Sequence, residues 1–379
     1  MAERPGTVVV TGYPGFIGRR LVQRMAELRR PGRLVLLSQA PHLAAARAHL
    51  AGLELPGAEI WEGDVSRMHL GLAGSEFKAL VRDATEIWHL AASSRVEARP
   101  DEMRRVNVEG TRNVLELARA AHRLERLHHF SSALVSGDRQ GVILEDELEM
   151  GQRYRNPYEA SKARAEALVR RAMADVPAIV FRPSTVVGDS RTGEIDRFEG
   201  PYYLGILLVT SPIGTPLPLA GGGGAPLNVV PVDFVVEAAL AIAGNPAAVG
   251  KTVHVVDPAP LSARRVYEII AQRVGRRLPA ASLPHRLLET VLGLPLVDRF
   301  SRQHRAAVES VNHLAFYNPM NLLALLDGTG VSCPPITSYL DRLVDFVRAD
   351  FERRRRREVE AEAEADDPLA PPRTAGTAD

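Results

Sequence analysis

A strand-like run, Thr7-Val8-Val9-Val10, leads into Thr11-Gly12-Tyr13-Pro14-Gly15-Phe16-Ile17-Gly18 and then into an amphipathic stretch with Leu21, Val22, Met25 and Leu28. No other feature narrows the fold as much. Glycines at this spacing, between a buried strand and a helix, let the backbone turn tightly and approach a pyrophosphate. The first turn of the helix then offers free N–H groups and a positive dipole end to the phosphate charge. The alternative is a tight turn with no ligand.

The rest of the chain repeats this alternation. Leu34–Leu37 reads as a second buried strand, Ile60-Trp61-Glu62-Gly63-Asp64 as a third, at an edge, and Glu86–Leu90 as a fourth. Val106–Ala121 has helical period, and Leu127–Ser132 is a fifth strand. A helix over Tyr158–Ala174 precedes a sixth strand, Ala178–Arg182, stopped by Pro183. Strands alternating with helices predict an α/β fold, a doubly wound parallel sheet of the Rossmann kind. Residues 1–185 form its dinucleotide-binding core. Residues 186–350 read as a smaller, mainly helical substrate-binding part. Within it, 186–228 is Gly- and Pro-rich loop, 229–275 returns to α/β elements, and 281–350 is mainly helical. From 352 the chain is a charged block, with five arginines at 353–357 followed by acids. It reads as a helix fraying into a disordered tail.

Composition excludes several classes. The net charge of +1 leaves no global field for nucleic acid. The single cysteine, Cys333, excludes an internal disulfide framework and a cysteine-rich metal site, and fits a reducing cytoplasm. No apolar run reaches the ~18 residues that span a bilayer. A peripheral membrane contact stays open at 285–300, where Leu287, Leu288, Val291, Leu292, Leu294, Leu296 and Val297 cluster around Pro295. With Pro295 interrupting it, that stretch reads first as a core helix or the face of a homodimer. No metal site is expected, because His89, His128 and His129 stand in strands without ligand spacing to other donors.

Only three of the 47 basic residues are lysines: Lys78, Lys162 and Lys251. Lys162 stands four residues after Tyr158. Residues four apart share a helix face, so a phenol and an ammonium can meet there. A nearby cation favours the phenolate and lowers the tyrosine pKa from ~10. Such a phenol can pass a proton to a carbonyl oxygen or take one from an alcohol. A solvated helix face is the other reading, but this chain uses arginine wherever charge alone is needed.

Thr11–Gly18, Gly63-Asp64-Val65, His89-Leu90-Ala91-Ala92, Asn107-Val108-Glu109-Gly110-Thr111, Ser131-Ser132 and Tyr158…Lys162 resemble, in order and spacing, the motifs of the extended short-chain dehydrogenase/reductases. The resemblance covers about residues 5–275. It implies that Tyr158 is the proton donor or acceptor, and that Lys162 lowers its pKa and holds the nicotinamide ribose. It implies that Ser132 bonds the substrate oxygen and that Asn107 anchors the helix geometry. Gly12, Gly15, Phe16, Ile17, Gly18 and Arg19 would form the phosphate turn, Asp64 and Val65 would lie by the adenine, and Ala91 and Ala92 along the cofactor. Pro183 and Ser184 would lie by the carboxamide. Ser131-Ser132 is also compatible with a strand-end turn, and Asn107 and Asp64 with helix caps.

After Arg182-Pro183, the run Ser184–Glu194 is similar to the fatty acyl-CoA reductase and thioester reductase branch. The expected cofactor is NADP or NAD. An acid at the end of the second strand would mark NAD, and Ser38-Gln39-Ala40 has none. Arg19 would reach a 2′-phosphate or else be a solvated first-turn arginine, so the reading leans to NADP. The expected activity is reduction of a carbonyl or acyl thioester on an apolar substrate. The alternatives are a sugar-nucleotide epimerase or dehydratase, a hydroxysteroid-type dehydrogenase, and a non-catalytic cofactor-binding scaffold or redox sensor.

Overall fold

The computed structural model describes residues 6–28, 32–94, 99–196, 223–275 and 312–365, with side chains as far as 357. Seven parallel strands form the central sheet: β1 (Thr7–Thr11), β2 (Arg33–Ser38), β3 (Ala58–Glu62), β4 (Ala84–His89), β5 (Arg126–Phe130), β7 (Ala178–Pro183) and β10 (Thr252–Val255). Their order is β10-β7-β5-β4-β1-β2-β3. Sequence order therefore reverses between β1 and β4, which makes that point the topological switch of the sheet. Ligands bind at such a switch point in doubly wound sheets.

Buried parallel strands are apolar on both faces because helices cover both. Val9, Val35, Ile87, Leu127 and Val180 face one core, shared with α3 (Gly74–Asp83), α5 (Gly110–Ala120) and α6 (Pro157–Ala172). Val10, Leu36, Trp88, Phe130 and Phe181 face the other, shared with α1 (Phe16–Glu27) and α7 (Val232–Ala243). Helix α1 buries Leu21, Val22 and Met25, while Leu28 lies past its end and is exposed. The third strand ends at Glu62, leaving Gly63 and Asp64 in the following turn.

Other expectations need correction. Two small parallel sheets were not foreseen: β6 (Gly141–Ile143) with β11 (Ala315–Tyr317), and β8 (Thr185–Val187) with β9 (Val229–Pro231). Each strand has three residues, too few to show a period of two. Within 281–350, read as mainly helical, the described residues hold β11 beside α9 (Met320–Leu326) and the start of α10 (Leu340–Ala365). The charged tail is helical as far as Ala365. Leu340, Leu343, Val344 and Val347 anchor the first turns of α10 in the protein. Beyond them Arg354–Asp350 and Arg356–Glu352 pair one turn apart, each pair adding about 0.3–0.5 kcal/mol. The apolar stretches 202–209 and 285–300, Arg197 and the rest of 197–222 lie outside the described residues. Among the described residues no helix is long and apolar enough to cross a membrane.

Candidate active site

The glycine turn is dictated by the chain itself. Gly12 has φ +83°, and a Cβ there would stand 2.6 Å from the Ala91 backbone nitrogen. A Cβ on Gly15 or Gly18 would stand 2.8 Å from the Gly12 carbonyl oxygen. The loop folds onto itself and onto the exit of β4, so no side chain fits on the inner wall. Gly15 precedes α1 without a side-chain cap, which leaves the N–H groups of the first turn to a ligand. Phe16 and Ile17 are half-buried in that turn, and Ile17 packs on the core. Arg19 does not stand free: its guanidinium is hydrogen-bonded to Asp196.

Asp64 closes the neighbouring turn by accepting the Ser66 N–H at 2.8 Å. Burial pushes its carboxyl up, but bonds from Ser66 and the Gln39 side chain outweigh this and hold it below the usual value. Val65 is buried and would touch any Cβ on Gly110. Ala91 donates its N–H to Thr11 Oγ1 at 3.2 Å, and Ala92 is exposed. Two buried hydroxyls, Ser38 Oγ at the end of β2 and Ser184 Oγ just after β7, have no hydrogen-bond partner. Buried polar atoms are normally paired. With the glycine turn, these hydroxyls fit a polar dinucleotide laid along the carboxyl edge of the sheet.

Helix α6 starts where the sequence tells it to. Asn156 accepts the Glu159 N–H at 3.0 Å, Pro157 takes the first helical position and Glu159 the first turn. Tyr158, half-buried, and Lys162 follow one turn apart. Lys162 is 4% exposed and donates to the Phe130 carbonyl at 2.5 Å, at the end of β5. Burial pulls its ammonium down from 10.5 to about 8, partly opposed by the Glu166 carboxylate. Two residues along, the Ser132 hydroxyl accepts the Leu134 N–H at 3.2 Å. Ser132 therefore caps a turn and keeps its own proton to donate elsewhere.

Asn107 sits in a π-helical turn, Arg104–Glu109, a distortion frequent at functional sites. Its Oδ1 accepts the Ser93 N–H at 2.7 Å, and its Nδ2 donates to the Ser93 carbonyl at 3.0 Å and to Ser161 Oγ at 2.8 Å. Ser161 in turn donates to the Tyr158 carbonyl at 2.8 Å. Asn107 thus ties the loop after β4 to the helix that carries Tyr158 and Lys162. His89 lies 2.9 Å from both Thr11 Oγ1 and Thr111 Oγ1. Its pKa drops to about 3, by burial first and the Lys162 charge second, so the ring is neutral. Burial and the same charge hold His129 well below its usual value.

Sequence reasoning missed Glu166, Arg182 and His254, all fully buried behind the serines. The signal present was the i, i+4 stripe Tyr158, Lys162, Glu166, Arg170 down α6. An NMR titration of the ligand-free protein with [ε-13C]lysine is expected to show Lys162 with a midpoint near 8. With only three lysines the resonance is assignable by Lys162→Arg. A midpoint near 10.5 would place Lys162 in water and undo the buried arrangement.

Comparison with known proteins follows the same lines. The model of an NAD-binding family described as male sterility protein matches residues 10–239. A nonribosomal peptide synthetase of Aspergillus flavus, asaC, is 29% identical over 278 residues, covering 67% of this chain and 26% of that protein. The fatty acyl-CoA reductase wat of Drosophila melanogaster is 25% identical over 279 residues, covering 62% of this chain and 53% of that protein. The chain thus spans from about a quarter to half the length of these curated relatives. Among solved structures, the terminal R domain of the myxalamid PKS-NRPS pathway superimposes with a TM-score of 0.76 at 27% identity, over 91% of each chain. With a seven-stranded parallel sheet and a match over more than half its length, the chain belongs to the NAD-binding male sterility protein family, a reductase-type branch of the extended short-chain dehydrogenase/reductases.

Proposed function

We propose that this protein is an NAD(P)H-dependent reductase of a carbonyl or acyl thioester on an apolar substrate, with Ser132, Tyr158, Lys162 and Asn107 as its site. One observation carries the reading: α6 presents Tyr158 one turn before a buried lysine that is tied to the strand end carrying Ser132. When bound, the cofactor supplies the hydride. The chain supplies the rest. Gly12, Gly15 and Gly18, with the first turn of α1, hold the pyrophosphate. Ser38 meets the adenosine ribose and Ser184 the carboxamide, which gives both orphaned hydroxyls a partner. Lys162 holds the other ribose and stabilises the Tyr158 phenolate. Tyr158 donates its proton to the substrate oxygen, and the Ser132 hydroxyl stabilises charge developing there. Asn107 keeps α6 in register with the loop after β4.

The apolar substrate is supported by the relative named as a fatty acyl-CoA reductase and by the likeness to a synthetase R domain. We further assign residues 1–185 to cofactor binding and 186–350 to substrate binding, and the single cysteine fits a cytoplasmic setting. The test is cofactor oxidation by purified protein given NADPH or NADH, across acyl-CoA chain lengths and the matching aldehydes. Consumption that grows with chain length is expected. Tight cofactor binding with no consumption on any of them would sink the reading and move the weight to a sugar-nucleotide or sterol substrate.

A further inference from the structure

Glu166 lies on α6 one turn beyond Lys162 and is completely buried. Its Oε2 accepts the Ser131 hydroxyl at 2.6 Å and Arg182 Nε at 2.9 Å. Its Oε1 accepts a second Arg182 nitrogen at 2.6 Å and Arg170 Nε at 2.9 Å. Arg182, from β7, lies 3.2 Å from His254 Nε2 on β10 and donates to the Glu147 carbonyl at 2.7 Å. His254 Nδ1 in turn lies 2.9 Å from the Asn318 carbonyl. One carboxylate therefore ties α6 to β5 and β7, and through Arg182 reaches β10 and the segment ahead of α9.

Three consecutive residues at the end of β5 are bound to one helix or to the site. The Phe130 carbonyl takes the Lys162 ammonium, the Ser131 hydroxyl goes to Glu166, and Ser132 follows at the proposed substrate oxygen. Side chains alternate along an extended segment, so the placement of Ser131 determines that of Ser132. A buried carboxylate meeting two guanidiniums would be satisfied without a serine; the Ser131 bond is the one that faces the site.

We infer that Glu166 is a positioning residue of this site, holding Ser131, and with it Ser132, in register with Tyr158 and Lys162. The inference rests on the reductase reading above. The groups around Lys162 are Glu166 on its own helix, His129 on β5 and His89 on β4, both neutral. Arg182 on β7 and Arg170 on α6 stand behind Glu166, and His254 on β10 behind Arg182. Among the described residues Glu166 is the carboxylate that acts on Lys162, where it favours the charged ammonium, and the Tyr158 phenol stands one turn earlier on the same helix. Removing that charge without changing shape moves the Lys162 midpoint down. In the reducing direction, activity is lost as pH rises through that midpoint, so the alkaline limb of the profile moves to lower pH.

The experiment uses the full chain in two variants. Glu166→Gln is titrated by [ε-13C]lysine NMR, which needs no substrate, and the Lys162 midpoint is expected to fall by at least about one pH unit. Ser131→Ala leaves the buried ion pairs intact, so it decides the matter if Glu166→Gln does not fold. It is expected to lower kcat about tenfold, with the dissociation constant of the reduced cofactor and the melting temperature near wild type. An unchanged Lys162 midpoint in Glu166→Gln, or wild-type kcat in Ser131→Ala, overturns the inference. If Tyr158→Phe is itself fully active, the reductase reading has failed. If Tyr158→Phe is inactive and both other variants match wild type, only the role of Glu166 has failed.

Discussion

Tyr158→Phe is expected to lower kcat by about 100- to 10,000-fold, the usual contribution of a positioned acid, while the cofactor binds as tightly as before. The phenol is half-buried near the start of α6. Removing one oxygen there leaves the Asn156 cap, the Ser161 bond to the Tyr158 carbonyl and the Lys162 bond to Phe130 in place. Folding is thus expected to survive, and circular dichroism with a melting curve checks this. Loss of turnover at unchanged cofactor affinity, measured by quenching of reduced-cofactor fluorescence, isolates the proton transfer. Equal loss of both would mean that Tyr158 only packs. Full activity would remove it from the chemistry.

Gly12→Ala is expected to weaken cofactor binding by at least about 100-fold. Two penalties combine. The left-handed backbone at φ +83° costs an alanine roughly 1–2 kcal/mol. The added methyl also stands 2.6 Å from the Ala91 nitrogen and 2.7 Å from the Leu90 carbonyl carbon. The turn must open, and the N–H groups of the first helical turn then no longer converge on a phosphate. Each charge-assisted hydrogen bond lost is worth about 1.5–3 kcal/mol, so two are enough for the expected effect. Gly74→Ala serves as the control, since nothing lies within 4 Å of a Cβ there. It should leave affinity unchanged. Wild-type affinity in Gly12→Ala would place the cofactor elsewhere.

The leaning to NADP has two grounds, the missing acid at Ser38-Gln39-Ala40 and Arg19, and the structure sets a competitor beside the second. Asp196 already holds that guanidinium, so a 2′-phosphate would have to displace a carboxylate. No neighbour in sequence announced this, because Asp196 is far along the chain and belongs to a loop without period.

Much of the sheet was legible because local rules encode it. A buried parallel strand writes itself as a short apolar run, and β1, β2, β4, β5 and β7 were each placed within a residue or two. The glycine turn and the Tyr158…Lys162 spacing are likewise local, fixed by φ preference and by the helical repeat. Asn107 carried a motif, but its partners Ser93 and Ser161 lie on separate elements. The short pairs β6–β11 and β8–β9 carried no usable period.

The sequence by itself determined the order of strands and helices, the glycine turn and the helix face on which phenol and ammonium stand. Each follows from interactions among residues a few positions apart. Only the tertiary structure decided that Lys162 is buried against the Phe130 carbonyl, and that Glu166 gathers Ser131, Arg170 and Arg182 behind the site. It alone decided that Ala315–Tyr317 pairs with Gly141–Ile143. The reason is physical: a buried charge takes whichever partner the packed strands bring to it, and that partner is chosen by the closure of the whole sheet rather than by any local pattern.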